Sequence, residues 1–418
     1  MRKIRLPFFF FVAISLPLLT FLVIKLAKGY KFNFSKKIFE PRGILVTTST
    51  PDGAQVFING EFKTATNNTL PLSPGTYKVE IKKDGYFPWV KQLKIEKELV
   101  TKTDSWLFPA APDLRPLTFT GSQNPVFSPD GTKIVYSSTA SESGKGGFWL
   151  IDLVELPFGI NRGPKQIIKP MAKGRNFSKA SVSWSFNSRQ ILISKDNQNF
   201  LIDPNQISLE QDLVDISFDL KSIVSSWQEE EKKIFDSKFK RLPKNLQEIF
   251  QSSAENFEFS QDQEKLLYEA TASAKIPLNL LPPVPAASTQ KEEREIKPGR
   301  IYVYDLKEDR NFYIATIPEV KRKLSTAKSS EAFNSQITNY QLPITNFSWF
   351  PTSRHLLWVE PERISLIEYD GTNKTTIFTG PFENSYVFPA PEANKIIILT
   401  NFGQEANQPP NLYSINLR

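Results

Sequence analysis

The chain carries one histidine, His355, and no cysteine among its 418 residues. Zinc catalysis therefore lacks its usual ligands, and there is no thiol nucleophile, disulfide or cysteine lipid anchor. The absence of cysteine does not identify the compartment. A Ser-His-Asp relay would need His355 at a cleft. His355 instead falls just after a predicted hairpin turn, in the slot that other repeats fill with Lys133, Gln190 and Lys265. That slot is expected to face solvent. Carboxylate chemistry survives such counting, because a glycosidase needs only two acids. Asp130 and Asp262, however, sit in predicted turns, where aspartate bonds its own backbone. No clustered D-x-D calcium pattern, phosphate-binding G-x-x-x-x-G-K-[ST] loop or dinucleotide fingerprint is present. The run Glu229-Glu230-Glu231-Lys232-Lys233 reads as a solvated helix face. No catalytic, cofactor-binding or metal-ligating residue is assigned, and the ligand-binding residues are left open.

The charge balance argues against nucleic acid as a partner. Lys and Arg number 52 against 44 Asp and Glu, a net +8. Nine of the bases and one acid, Glu40, precede position 43; that segment holds the whole excess and leaves 43 of each sign beyond it. A DNA-binding footprint would be a basic patch on a folded domain.

All of that excess flanks one apolar segment, Leu6 to Ile24, which has no charged residue. At 1.5 Å per residue it would be about 28 Å long, close to the hydrocarbon thickness of a bilayer. Pro17 should kink such a helix without abolishing it. A cleaved signal peptide is the alternative, but the apolar stretch is long for one and no A-x-A site follows before Lys25. Residues 1–42 are thus expected to be basic flanks around a single-pass anchor spanning about 6–24. Counting positive charges literally would keep the C-terminal bulk in the cytoplasm. The nature of the following domains favours the opposite orientation, with the bulk outside the cell.

Residues 43–108 carry alternating apolar positions in Gln55–Ile58 and Tyr77–Ile81, with hairpin signals at Asn59-Gly60, Ser73-Pro74-Gly75 and Asp84-Gly85. Five or six strands in this span predict a small β-sandwich. The series Pro51, Gly53, Ala54, Asn59-Gly60, Pro74-Gly75 and Gly85-Tyr86 resembles a PEGA domain. That resemblance implies an extracytoplasmic β module with no general catalytic activity and supports the outward orientation. The Thr64–Leu72 stretch departs from the family pattern and reads as loop variation.

Beyond residue 113 one pattern recurs. VFSPDGTKIVY at 126 returns as VSWSFNSRQILIS at 182, FEFSQDQEKLLYEA at 257, FSWFPTSRHLLWVE at 347 and YVFPAPEANKIIILT at 386. Each copy is an aromatic-ended strand, a short turn and a nearly continuous apolar strand. A third strand follows each, and fourth strands are expected at Lys165–Lys169, Leu213–Asp219, Asn311–Thr316 and Thr375–Thr379. The last copy lacks a fourth strand, and Arg115–Thr120 is placed to supply it and close a ring. Four-stranded units at about 40 residues predict a β-propeller over 113–418. It would have five blades, or six if residues 205–256 hold a degenerate one. The F-S-P-D-G-x-x-I core resembles the TolB-type propeller repeat.

Two insertions interrupt the repeat. Residues 225–254 have helical spacing at Trp227, Ile234, Phe235 and Phe239 and a break at Pro243. Residues 271–298 are Pro/Ala-rich and then charged (KEERE), and read as a mobile loop. Both connections should emerge on one propeller face. The expected protein is mainly β and non-enzymatic, without cofactor. It would be held at the cell membrane and bind a protein or a cell-envelope glycan through that face. A glycan-processing propeller using paired carboxylates and a cytoplasm-facing scaffold are the competing readings.

Overall fold

The computed structural model describes residues 5–27, 30–33, 38–138, 146–155, 163–169, 180–317, 346–402 and 408–418. Of the basic residues flanking the apolar segment, Arg2, Lys3, Lys28, Lys36 and Lys37 lie outside them. Helix α1, Arg5–Ala27, contains Pro17 and is apolar all round. Its window Phe8–Lys25 is long and apolar enough to cross a membrane, and none of it is buried.

The remaining chain forms two compact units. The first comprises the residues through Phe108 together with Pro283–Lys291. Its four-stranded sheet runs Glu61–Ala65, Gln55–Ile58, Gly75–Lys82, Trp89–Ile95. A three-stranded sheet runs Val100–Lys102, Gly43–Thr47, Asn68–Leu72. Every second residue points into one core, so Val56, Ile58, Val79 and Ile81 pack with Leu45, Trp89 and Ile95. Asn59 and Gly60 both take positive φ, as a two-residue hairpin with the strands' twist requires. Thr64–Leu72 is not a variable loop. It carries the chain from one sheet to the other, and Asn68–Leu72 pairs with Gly43–Thr47. The buried Thr66 hydroxyl accepts from the Ala54 N–H at 2.9 Å and secures the crossing.

The second unit is a propeller of antiparallel sheets, numbered here in chain order as blades. The first blade pairs Gln123–Phe127, Lys133–Ser138, Gly147–Asp152 and Lys165–Lys169 in sequence order. The third does so with Ala254–Phe259, Lys265–Ala270, Arg300–Asp305 and Arg310–Thr316. The fourth uses Phe347–Trp349, His355–Glu360, Arg363–Glu368 and Thr375–Thr379. The fifth combines Val387–Pro389, Lys395–Thr400 and Asn411–Asn416 with Asp113–Pro116 from the other end of the unit. The ring is therefore closed by residues 113–116, slightly before the expected Arg115–Thr120. Pro116 has no N–H to extend the ladder, and the Thr118 hydroxyl continues it by accepting from the Leu412 N–H at 2.9 Å.

Blade strands are buried on both faces, which explains their nearly continuous apolar runs. In the first blade, Val135, Phe148 and Leu150 pack toward the second, while Ile134, Tyr136 and Ile151 pack toward the fifth. In the third, Leu267, Ile301 and Val303 face the fourth.

The repeated turns are one structure built five times. In Ser128–Gly131, Ser185–Ser188, Ser260–Gln263, Phe350–Ser353 and Ala390–Ala393 the last residue's N–H donates to the first residue's carbonyl at 2.8–3.1 Å. The first residue's N–H reaches the carbonyl two beyond the turn at 2.8–2.9 Å in all five. The last position is left-handed throughout, with φ of 54–75°. Only the first copy places glycine there.

The second blade departs from the plan. It has three strands, Ser181–Trp184, Ile191–Lys195 and Gln198–Ile202. The expected fourth strand at Leu213–Asp219 reduces to a single bridge between Phe200 and Asp215. Asp215 explains the interruption: its carboxylate accepts from the Asn199 N–H at 3.1 Å and the Ser217 N–H at 3.0 Å, turning the chain away. Ser208–Leu209 joins the first blade instead, parallel to Lys165–Lys169. Helix α2 follows at Leu220–Phe239, starting before the expected 225, and α3 spans Lys244–Ser253 with Pro243 at its N-cap. Among the described residues, 205–253 thus hold helices and that short strand, not a further sheet of their own.

Residues 271–298 are also more ordered than their composition suggests. Ala274–Lys275 pairs with Glu295–Ile296, and Ile276 and Ile296 share a core with Leu246 and Phe250 of α3. Three of the KEERE charges are matched: Arg294 contacts Glu292 at 2.9 Å and Asp309 at 3.4 Å, and Arg300 contacts Glu293 at 2.8 Å. At its tip, Gln290 Nε2 donates to the Gln92 carbonyl at 2.8 Å within the first unit.

A cleft between the helical insertion and the blades

The residues singled out for possible chemistry are mostly structural. The Asp130 carboxylate accepts from the Ser128 hydroxyl (2.7 Å), the Thr132 N–H (3.0 Å) and the Thr132 hydroxyl (2.8 Å). Those bonds outweigh its desolvation and hold its pKa below the ordinary carboxylate value. Asp262 repeats the arrangement with Ser260 (2.6 Å) and the Glu264 N–H (3.0 Å).

His355 is not at the surface. It is 3% exposed, with Nδ1 2.9 Å from the Thr352 hydroxyl. The slot after the turn lies at the seam between blades. Lys265 there sits 4.9 Å from the Tyr369 ring of the fourth blade, and Lys395 of the fifth blade contacts Glu155, just after the first blade's third strand, at 2.9 Å. A polar residue in this slot is used for fastening.

The seams follow a rule. Trp184 Nε1 of the second blade donates to the Val126 carbonyl of the first at 3.2 Å. Trp349 Nε1 of the fourth donates to the Glu258 carbonyl of the third at 2.8 Å. The Asp130 N–H reaches Ser188 Oγ at 3.0 Å, and the Asp262 N–H reaches Ser353 Oγ at 3.0 Å. Between the fifth and first blades, Phe127 occupies the tryptophan position and stacks on Phe388 at 5.1 Å.

At the third blade the tryptophan position holds Phe259, which has no N–H to give. Its ring meets Phe235 of α2 at 6.2 Å. The blade surface formed by Leu266, Tyr268, Tyr302 and Tyr304 packs against Phe239, Leu242, Leu246 and Phe250 of the helical insertion. The insertion spans the blade's height. Its Ser253 end accepts from the Thr271 N–H beside the long connection (2.9 Å), and Arg241 Nη1 reaches Gln263 in the hairpin turn at the other end (3.0 Å). It shares a core with Ile276 and Ile296 of the Pro-rich connection and also reaches the hairpin-turn end of the blade.

Under that overhang lies a cleft of about 680 Å³. Phe235, Phe257 and Phe259 form one wall, Phe186 and the turns of the first two blades the other, with Glu231 and Glu258 among the lining groups. Glu231 belongs to the run expected to be a solvated face. Glu229 does pair with Lys233 in solvent at 3.7 Å, but Glu231 is half-buried. Burial raises its pKa. Burial pushes Glu258 up to about 7, only partly offset by the Trp349 N–H at 3.2 Å. No basic side chain pairs with either acid among the described residues. A second cleft, of about 620 Å³ at the fifth–first seam, holds Glu155 paired with Lys395. No group of His, Asp and Glu among the described residues has the makings of a metal site.

Sequence reasoning missed Glu258 although a signal was present. In the repeat its position holds Val126, Ser183, Ser348 or Phe388, so it is the one charged residue in that slot, set between two phenylalanines.

Residues 42–110 match the PEGA domain family. No curated protein matches the chain. Among solved structures, a putative TolB from Agrobacterium tumefaciens is similar at 12% identity, over 70% of this chain and 71% of that one, with a TM-score of 0.20. TolB from Acinetobacter baumannii is similar at 10% identity over 81% and 59%, with a TM-score of 0.18. The β-propeller domain of Cps50 (Swd1) from Myceliophteria thermophila is similar at 13% identity over 71% of each chain, with a TM-score of 0.17. At such scores the propeller assignment rests on the sheet order, the closing strand and the fivefold turn.

Proposed function

We propose that this is a non-enzymatic, membrane-anchored binding or scaffolding protein whose bulk lies outside the cytoplasm. Its parts would be an anchor with basic flanks over 1–42, a PEGA-like domain over 43–108 and a five-bladed propeller over 113–418. The apolar α1 and the PEGA match support the anchored, outward placement. The observation that carries the binding reading is the α2–α3 hairpin, set against the third blade where the regular seam is lost. It leaves an aromatic-walled cleft lined by Glu231, which no basic side chain among the described residues pairs with. Structure alone accounts for closed seams, whereas unmatched groups in an open cleft have no structural task. The bound partner would be a protein, held at this insertion.

Two experiments test this. Protease shaving of intact cells should remove the propeller; survival of the propeller would place it inside. Capture with the full chain should recover a partner that Ile234→Arg, at the exposed cleft rim, loses at unchanged fold; equal recovery by the variant would move binding elsewhere.

One observation favours the enzymatic alternative: Glu231 and Glu258 both line the cleft and both have raised pKa values, as a general acid requires. Turnover of a cell-wall polysaccharide that Glu258→Gln abolishes would establish it over the binding reading.

A further inference from the structure

Helix α1 is not joined to the β domain by a bare tether. Directly after it the chain turns back, the Tyr30 N–H donating to the Lys25 carbonyl at 3.0 Å. It then enters a two-stranded antiparallel ribbon of Lys31–Asn33 and Ile38–Glu40. Phe32 and Phe39 are opposite one another on one face of the ribbon, their rings 5.1 Å apart and edge to face. Phe39 also meets Phe21 of α1 at 6.4 Å. Phe21 lies inside the apolar window Phe8–Lys25, one turn (about 6 Å) short of its end. The Lys25 ammonium sits 4.0 Å from the Tyr30 ring and marks the polar boundary at that level. The Tyr30 hydroxyl donates to Glu98 Oε1 at 2.5 Å, in the Glu96–Leu99 turn of the β domain. The Glu98 N–H in turn donates to the Arg42 carbonyl at 2.9 Å.

We infer that this ribbon is a second membrane contact: it lies in the lipid headgroup layer beside the last turn of α1, and through Tyr30 and Glu98 it holds the β domain against the bilayer surface. Its depth is bounded from both sides. The Phe39–Phe21 contact draws it to the level of the span's last turn, where aromatic side chains are favoured. Lys31 and Glu40, opposite one another on its other face, keep it out of the hydrocarbon, as do the outer peptide groups of a two-stranded sheet. A ribbon this small is not stable alone in water, so the helix and the interface supply what it has no core to provide. Ile38, 51% exposed, is then covered by lipid. The inference rests on α1 being a retained anchor and adds the stance of the domain that follows it.

The chain has no cysteine, so single nitroxide labels can be placed in the full chain, reconstituted in nanodiscs of phosphatidylcholine and phosphatidylglycerol. They go at Leu16→Cys within the span, Ile38→Cys on the ribbon and Lys97→Cys in the turn it holds. The ratio of collisions with lipid-soluble oxygen to those with a water-soluble nickel chelate reports depth. Leu16 should read hydrocarbon. Ile38 should lie between Leu16 and a free nitroxide in buffer, about threefold or more above the latter. Phe39→Ala should return the Ile38 label to the aqueous value. Tyr30→Phe should leave that depth unchanged and make the Lys97 label more mobile. With Leu16 in hydrocarbon, an aqueous Ile38 label, an Ile38 depth indifferent to Phe39→Ala or a Lys97 label indifferent to Tyr30→Phe would overturn the inference and leave the anchor standing. A Leu16 label outside the hydrocarbon would overturn the anchor itself, and the inference with it.

Discussion

The third–fourth seam and the surface of the third blade turned toward the second belong to the same sheet and are fastened differently. On one side, Trp349 and Ser353 reach back from the fourth blade and use the donors and acceptors available, as Trp184 and Ser188 do between the first two blades. On the other, Phe259 replaces tryptophan, the second blade has lost its fourth strand, and two helices fill the space. The regular seam leaves little for a ligand to satisfy. The interrupted one gives the ring an aromatic-walled cleft lined by Glu231. Where the repeat fails, surface chemistry is freed from holding the fold together.

The comparison breaks most severely at the tryptophans. Trp184→Ala and Trp349→Ala each empty a large buried site and should cost about 3–5 kcal/mol, read from denaturant midpoints at constant slope. If the seams are equivalent, Trp→Phe should cost about 1 kcal/mol at both positions, from the lost N–H bond. A large disparity would break the equivalence.

Glu258→Gln should show a pH-dependent effect. The folded-state pKa of Glu258 is raised, so the folded chain binds more protons than the unfolded chain between the ordinary carboxylate pKa and about 7. Wild-type stability from this group is fully present below that window and is lost as pH rises through about 7. The variant should therefore be more stable than wild type by about 3 kcal/mol at pH 8 and should converge with it near pH 4.5. A difference that does not vary with pH would contradict the desolvated carboxyl.

The smallest effects sharpen the fivefold turn. Gln263→Gly and Ala393→Gly place glycine at left-handed positions and should stabilise by about 0.5–1 kcal/mol. The same change at Ser188 or Ser353 should give no gain, because the hydroxyl that accepts from the preceding blade is lost. Thermal unfolding of the four variants decides it.

What the sequence revealed follows from how local each feature is. The five turns were legible despite diverging from Ser-Pro-Asp-Gly to Ala-Pro-Glu-Ala, because a turn is specified by its own few residues and the strands beside it. The ring closure was legible to within a few residues, since the last blade lacked a strand and one was left over. The second blade's missing strand was not legible. Leu213–Asp219 has adequate strand composition, and Asp215 turns it aside through contacts with Asn199 and Ser217. His355 was misplaced because a slot filled by lysines suggests solvent, whereas at a blade seam a lysine buries its stem and finds a ring or an acid in the neighbouring blade. The KEERE run misled in the same way, Glu292, Glu293 and Arg294 being paired across a loop and a blade. The cleft needs α2 placed over two turns and an inner strand, a tertiary arrangement no local pattern encodes. The one local departure there was Glu258, a charge in an otherwise uncharged slot.

The central claim, that the interrupted seam is the binding surface, is tested most directly by site-specific photocrosslinking in the cells that make the protein. A photoreactive residue at Ile234, on the cleft rim, should give one discrete adduct, whereas the same group at Lys307, exposed in the third blade, should give none. Adducts at Lys307 as strong as at Ile234, or no adduct at Ile234, would contradict the account.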